Sequence, residues 1–350
     1  MTTDPANRQA RIPTQRREAT RRLLERRRQN WVLVLAAFVV LVVIAIPSVG
    51  FYMRFVVPPK QVIVSVNDVN RTMGQMVDRA RARVATQVES GGQPQIANVP
   101  FDVLTTLIDE EVLFQGGPTL GVTATRDEVD ENIRLTFYPS KDAGSDQDQD
   151  ALEREFQERY LDFLTVSQLS DETYRQIARS NILREKVRNI VGETVPSVEE
   201  SVYVHWIRVA DEAMAANVVE RLEIGERFDA VAREVNADRT WANHDGEVGW
   251  VPRGAFFELE ETLFSIEHNE VSVPLRAQSG VHMLKVTKGP EFVEVNAKMK
   301  EVLKTRALEN WLEEQRGLNS VVVNFDSQDY DWVINKIIEL APISRSLDSQ

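Results

Sequence analysis

Cysteine is absent from this 350-residue chain. Structural disulfides, thiolate zinc sites, thiol nucleophiles and a lipid anchor on an N-terminal cysteine are therefore excluded. The redox compartment stays open, because a chain without thiols suits either. Histidine is scarce, with only His205, His244, His268 and His282. No two of them stand at i,i+4 spacing, which rules out a metalloprotease helix. A metal site from carboxylates is chemically open, but nothing in the sequence demands a metal or a cofactor. The C-terminal bulk also lacks an excess of positive charge: residues 55–350 hold 31 basic and 51 acidic side chains, a net of −20. A body so acidic does not bind nucleic acid by counterion release.

What is present reads as globular. Hydrophobic residues make up 43% and charged residues 27%, and the length suits about two domains. The N-terminus differs in kind. Residues 1–30 carry nine Arg and no Lys against Asp4, Glu18 and Glu25, a net of +6. Residues 31–53, Trp31 to Met53, carry no charge at all. As a helix this run spans about 34 Å, enough to cross a hydrocarbon core of ~30 Å. Trp31 and Tyr52 suit the two interfaces, and the positive-inside rule leaves the N-terminus in the cytoplasm and the body outside. The expectation is a single-pass, uncleaved signal anchor in the cell membrane, since no clear A-x-A site follows the run. A cleaved signal and a buried core helix are the alternatives.

Beyond the linker, 61–66 reads as a strand and 70–90 as a helix with Met73, Val77, Ala80, Val84 and Val88 on one face. Pro100 opens a second helix. Thr125 and Glu128 form a capping box for a third. Helices follow over 151–166 and 171–192. Asp146, Asp148 and Asp150 alternate as in a calcium loop, but Ala151 and Gln157 stand where that loop needs Gly and Glu, so a solvated acidic loop is expected. From 201 the pattern becomes strand, helix, helix, strand, helix, strand, strand, a compact α+β arrangement. Val202, Val204 and Trp206 make one apolar face of the strand 201–210. A long helix is expected after Pro290, with Met299, Leu303, Ala307 and Trp311 on its face, then a strand over 321–325 and a helix over 328–340.

Two histidines, His205 and His282, fall inside expected strands and are flanked by apolar residues. They are either a facing pair or two ordinary structural histidines; His244 and His268 sit in turns and carry no assigned role. The surrounding residues sharpen the choice. YVHWIRVAD, GERFDAVAREVNAD, GEVGWVPRG and ELEETLFSIEHNEVSVPLRAQSGVHMLKV, in that order over 203–288, resemble a parvulin-type peptidyl-prolyl cis–trans isomerase domain. The flanks, VSVNDVNRTMGQ, VLTTLIDEEVLFQGGPTLGVTATRDEVDENI and LSDETYRQIARSNILREKVRNIV, are similar to the helical chaperone region of SurA/PrsA/PpiD-like foldases.

This resemblance implies an α+β fold class with a definite domain order. A basic cytoplasmic tail (1–30) and a transmembrane helix (31–53) precede a mostly α-helical chaperone-like domain (54–199). A compact parvulin-like (rotamase) domain with a four-stranded sheet (200–290) follows, and a C-terminal helical segment (291–350) packs back on the chaperone domain. The resemblance gives His205 and His282 the role of paired, mutually hydrogen-bonded histidines, with Asp238 beside them. Val248, Phe256 and Leu259 would line the proline pocket. By spacing alone Asp238 is equally an ordinary turn residue, and Phe256 and Leu259 plain core. Several positions depart from the family pattern, among them Val204 for Ser/Thr, Asn236 for Ser, Phe256 for Met and Leu259 for Phe. The implied activity is isomerisation of X-Pro bonds with chaperoning of unfolded or newly translocated polypeptides. The partners are those clients and the bilayer through 31–53, with no nucleic acid and no cofactor. An inactive parvulin-fold holdase or membrane-complex partner is the alternative.

Overall fold

The computed structural model describes residues 35, 38–139 and 149–339. The basic tail, part of the apolar run and the acidic loop with Asp146 and Asp148 lie outside these residues. The chain divides into two units, 1–62 with 72–75 and 63–71 with 76–350. In the first unit residues 38–51 are helical, and the helix widens into a π-turn over Tyr52–Val56. Pro58–Lys60 then form a 3-10 turn. Among the described residues no helix is long and apolar enough to cross a membrane. The described part of the apolar run is nonetheless exposed: Phe38, Leu41 and Ile46 are 61%, 63% and 69% accessible.

The second unit is a mostly helical α+β assembly. Its helices begin with α1 (Met73–Glu89), whose first turn belongs to the first unit, then α2 (Val99–Gly116), α3 (Arg126–Phe137), α4 (Gln149–Ser167) and α5 (Asp171–Val191). The capping box of α3 is present in full, with Thr125 and Glu128 satisfying each other's backbone N–H groups. Phe137, Phe156, Tyr160 and Phe163 fill the core between α3 and α4. The run Asp109-Glu110-Glu111 on α2 is buried. Each carboxylate is matched: Glu110 takes a bidentate bond from Arg79, at 2.9 and 3.0 Å from its Nε, and Glu111 takes Arg71. Asp109 takes Arg184 and Arg316. Burying such carboxylates is tolerable only because each has a guanidinium partner. A short strand, β2 (Val69–Thr72), precedes α1 where helix was expected from residue 70. It joins β1 (Val62–Val66) and β7 (Val321–Val323) in a three-stranded sheet, order β2-β1-β7.

The second sheet is antiparallel, order β4-β3-β6-β5, from β3 (Val198–Val209), β4 (Glu247–Pro252), β5 (Leu275–Ala277) and β6 (Gly280–Glu294). Helices α6 (Glu212–Glu223), α7 (Phe228–Val235) and α8 (Phe257–Ser265) cover it. Ile207, Val209, Val281 and Met283 pack with Phe228 and Val231 on one face. Val202, Val204, Trp206, Leu284 and Val286 pack with Leu259 and Leu263 on the other. β6 runs four residues past Pro290, where a helix was expected to take over. The ladder register jumps between Ser201–Glu291 and Tyr203–Lys288, so Gly289 and Pro290 sit in a bulge, a place where a strand tolerates a residue without an N–H. Gly289 has φ +99°, and a Cβ there would lie 2.6 Å from the Ser201 carbonyl.

The long helix, α9 (Ala297–Leu318), is capped by the Asn296 side chain and serves two cores. Met299 and Leu303 join the sheet core with Trp206. Leu308 and Leu312 join Leu113, Leu183 and Val187 in the helical core. Of the expected stripe, Trp311 packs half-buried against this second core, but the fully buried positions are Leu308 and Leu312 rather than Ala307. Four-residue steps drift about 40° each around a helix of 3.6 residues per turn, so a helix that changes partner midway buries the next positions over. The last helix, α10 (Ser327–Ile338), begins with a second capping box, Asp326 with Asp329.

Candidate functional site

An open cleft of about 1000 Å³ lies over the Trp206 face of the four-stranded sheet. Its floor is aromatic: the Phe256 ring meets Trp206 edge to face at 5.1 Å and Trp241 at 5.4 Å. Leu259 and His282 reach the cleft as well. β3 and β6 bring these together by register. Arg208 stands opposite His282, and Trp206 opposite Leu284, so all four share a face.

Asp238 is buried beneath the floor, 2% accessible. Its Oδ2 accepts from the indole Nε1 of Trp206 at 2.8 Å, and its Oδ1 accepts from the backbone of Thr240 and Trp241 at 2.8 and 3.0 Å. The loop that carries it is stitched to β3 by Asn236. That side chain accepts from Arg208 N and Asp238 N and donates to Trp206 O. Asn236, a departure from the family Ser, thus acts as a two-ended clamp.

His282 is 3% accessible. Its Nε2 is 2.9 Å from Ser279 Oγ, while its Nδ1 has no hydrogen-bond partner. Gly280 permits the turn between them: its φ is +131°, and a Cβ would lie 2.5 Å from the Val209 carbonyl. Burial, helped by the Arg208 charge, pushes the His282 imidazole down to about 4, against smaller opposing pulls from Asp238 and Glu258. At neutral pH the ring is therefore uncharged, able both to donate and to accept.

His205 is elsewhere. It pairs with Lys285 on β6, and its face is that of Ile207 and Met283. There it borders a separate cavity of about 470 Å³ with Leu222, Phe228 and Lys285. Burial lowers its pKa, with Glu247 pulling the other way. The expected His205–His282 pair does not form, because neighbouring strand positions point to opposite faces. The residue that meets the His282 ring is Trp206, one position along, edge to face at 5.4 Å. Val248 packs against the core cluster under the cleft and is not part of its lining. Of the expected set, the cleft gathers Asp238, His282, Phe256 and Leu259.

Residues 207–288 match the PPIC-type PPIase rotamase family, and residues 22–188 match the SurA-like N-terminal domain family. The chain contains a PPIC-type rotamase domain and a SurA-like N-terminal domain. The rotamase domain holds the cleft floor, Asp238 and His282, and α9 closes the cleft from outside it. Curated relatives include the foldase protein PrsA of Geobacillus kaustophilus, 28% identical over 177 residues, 48% of this chain and 62% of that one. PrsA of Caldanaerobacter subterraneus is 28% identical over 188 residues, 53% of this chain and 56% of that one. The chain thus spans about three fifths of the length of the curated relatives it matches. The crystal structure of the peptidylprolyl isomerase PrsA from Bacillus anthracis aligns with 69% of this chain and 97% of that one, at 16% identity and a TM-score of 0.32.

Sequence reasoning missed Trp206, Ser279 and Lys298 as residues lining the cleft. For Trp206 the signal was available, since the alternation Val202, Val204, Trp206 already set it on the face opposite His205. Lys298 had no local signal, because only the path of α9 brings it to the cleft.

Proposed function

We propose that this chain is a membrane-anchored, extracytoplasmic foldase that isomerises X-Pro bonds in unfolded, newly exported polypeptides and holds them with its helical domain. The observation that carries this reading is the rotamase cleft itself, an aromatic floor with a buried, neutral His282 at its edge. Rotation about X-Pro faces the ~18–20 kcal/mol amide barrier, and no covalent bond is broken. A catalyst need only bind the twisted amide better than either planar form, and each tenfold of rate takes about 1.4 kcal/mol of such preference. Phe256, Leu259 and Trp206 supply an apolar seat for the proline ring. His282 and Ser279 offer uncharged polar atoms to a carbonyl in rotation. Asp238 is a positioning residue, for both its oxygens are spent on Trp206 and the 240–241 backbone.

The anchor rests on the uncharged run Trp31–Met53 behind nine Arg and on the exposed apolar side chains in its described part. Exposed apolar surface of that extent calls for a cover, and a bilayer provides one. Release of the chain from membranes by alkaline carbonate would remove the anchor from the proposal.

A second reading has one observation in its favour. Trp206 fills the place beside His282 that the resemblance gives to another imidazole, and on this reading the domain binds X-Pro segments without turnover, in keeping with a holdase. The full chain in detergent, assayed with short X-Pro peptides and a proline-limited refolding protein, separates the two. Acceleration that falls at least tenfold in His282→Ala is expected. A folded chain that suppresses aggregation but accelerates nothing leaves the holdase.

A further inference from the structure

The cleft has a second wall that does not come from the rotamase domain. Lys298, Val302, Thr305 and Arg306 line it from α9, beyond the matched residues 207–288. Its cations fall into two classes. Arg188 is neutralised by Glu185 and Glu301, and Arg306 by Glu309. Arg208 and Lys298 are held differently. Arg208 donates to the carbonyls of Ser279 and Ala237, at 2.9 and 2.8 Å. Lys298 donates to the Thr240 carbonyl and lies 4.6 Å over the Trp241 ring. Among the described residues, neither has an ion-paired carboxylate. Carbonyls and a ring face orient a cation and leave its charge available.

The two cations grip the same short loop, Arg208 at Ala237 and Lys298 at Thr240, on either side of Asp238. They therefore flank the aromatic floor where a proline ring would sit. Among the described residues, two carboxylates on the cleft likewise have no ion-paired cation: Glu258, which accepts from Gln278 N at 3.0 Å, and Asp238, buried with both oxygens taken by Trp206 and the 240–241 backbone. The cleft lining holds four cations and four carboxylates, but beside the floor the exposed Lys298 and the half-buried Arg208 can be reached, while Asp238 is 2% accessible.

Resting on the reading that the cleft takes X-Pro segments, we propose that it selects segments with Asp or Glu beside the proline, and that Arg208 and Lys298 are the specificity-determining residues. Lys298 makes this a property of the assembled chain, since the rotamase domain alone lacks it.

The test uses the full chain in nonionic detergent and fluorescent peptides that differ only in Glu, Gln or Lys before Pro. Binding is read by anisotropy and turnover by kcat/KM. A solvent-exposed pair supports a preference of about two- to fivefold for Glu over Lys, shrinking as salt is added. Lys298→Glu, at an exposed position where folding is not at stake, is expected to reverse the order. Equal binding of the Glu and Lys peptides, or a preference that Lys298→Glu leaves intact, overturns the proposal. Binding of none of the three peptides overturns the cleft reading and this inference with it. Charge-selective binding without turnover supports the inference while sinking the isomerase activity, so the two failures are distinguishable.

Discussion

The two faces of the four-stranded sheet carry one strand histidine each, and the two have different surroundings. His282 lies over the aromatic cleft beside Trp206, with Ser279 on one nitrogen. His205 lies over the other face beside Lys285, at the edge of a smaller cavity walled by α6 and α7. Both lose basicity to burial. Only His282 shares a face with Asp238's hydrogen-bonded partner. A histidine in a strand is thus assigned by which side of the pleat it occupies, and a shift of one residue changes its whole environment.

The comparison can be broken most forcefully at Asp238. Asp238→Ala leaves the buried Trp206 N–H without its acceptor and frees the 240–241 turn, at a cost of about 3 kcal/mol. Urea unfolding reads this as a lower midpoint at unchanged slope, and a midpoint equal to wild type would mean the network does not hold the cleft floor. A smaller effect separates the faces by pH. The folded His282 titrates near 4 and the unfolded one near 6.5. Above 6.5 both are neutral and stability is full. As pH falls through 6.5 toward 4 the unfolded chain takes up a proton that the folded chain refuses, so stability drops, by about 2 kcal/mol at pH 5. His282→Gln should flatten that part of the stability–pH curve, and an unchanged slope would show that the ring is not held neutral. The smallest effect is expected at His205. His205→Ala should leave isomerisation within about twofold and stability within about 1 kcal/mol. A loss as large as that of His282→Ala would return His205 to the site and refute the two-face assignment.

Much of the fold was legible because its signals are local. The capping box at Thr125, the four-stranded sheet and its three covering helices follow from hydrophobic period and turn residues. The candidate site was half legible. Asp238, His282, Phe256 and Leu259 came from the resemblance and do meet at one cleft. His205 does not join them, because the alternation Val202, Val204, Trp206 sets it on the other face of the sheet. Pro290 suggested an end to β6, yet a bulge beside Gly289 absorbs it.

By itself the sequence determined the chemistry that is possible. The lack of cysteine, the scarcity of histidine, the acidic body and the basic, uncharged-then-apolar N-terminus are facts of composition that no fold can alter. Tertiary structure decided which residues meet. Strand register put Trp206 rather than His205 against His282, because side chains alternate across a sheet. The path of α9 placed Lys298 beside Trp241, some 60 residues away in the chain, because one amphipathic helix had to bury its two ends in two different cores.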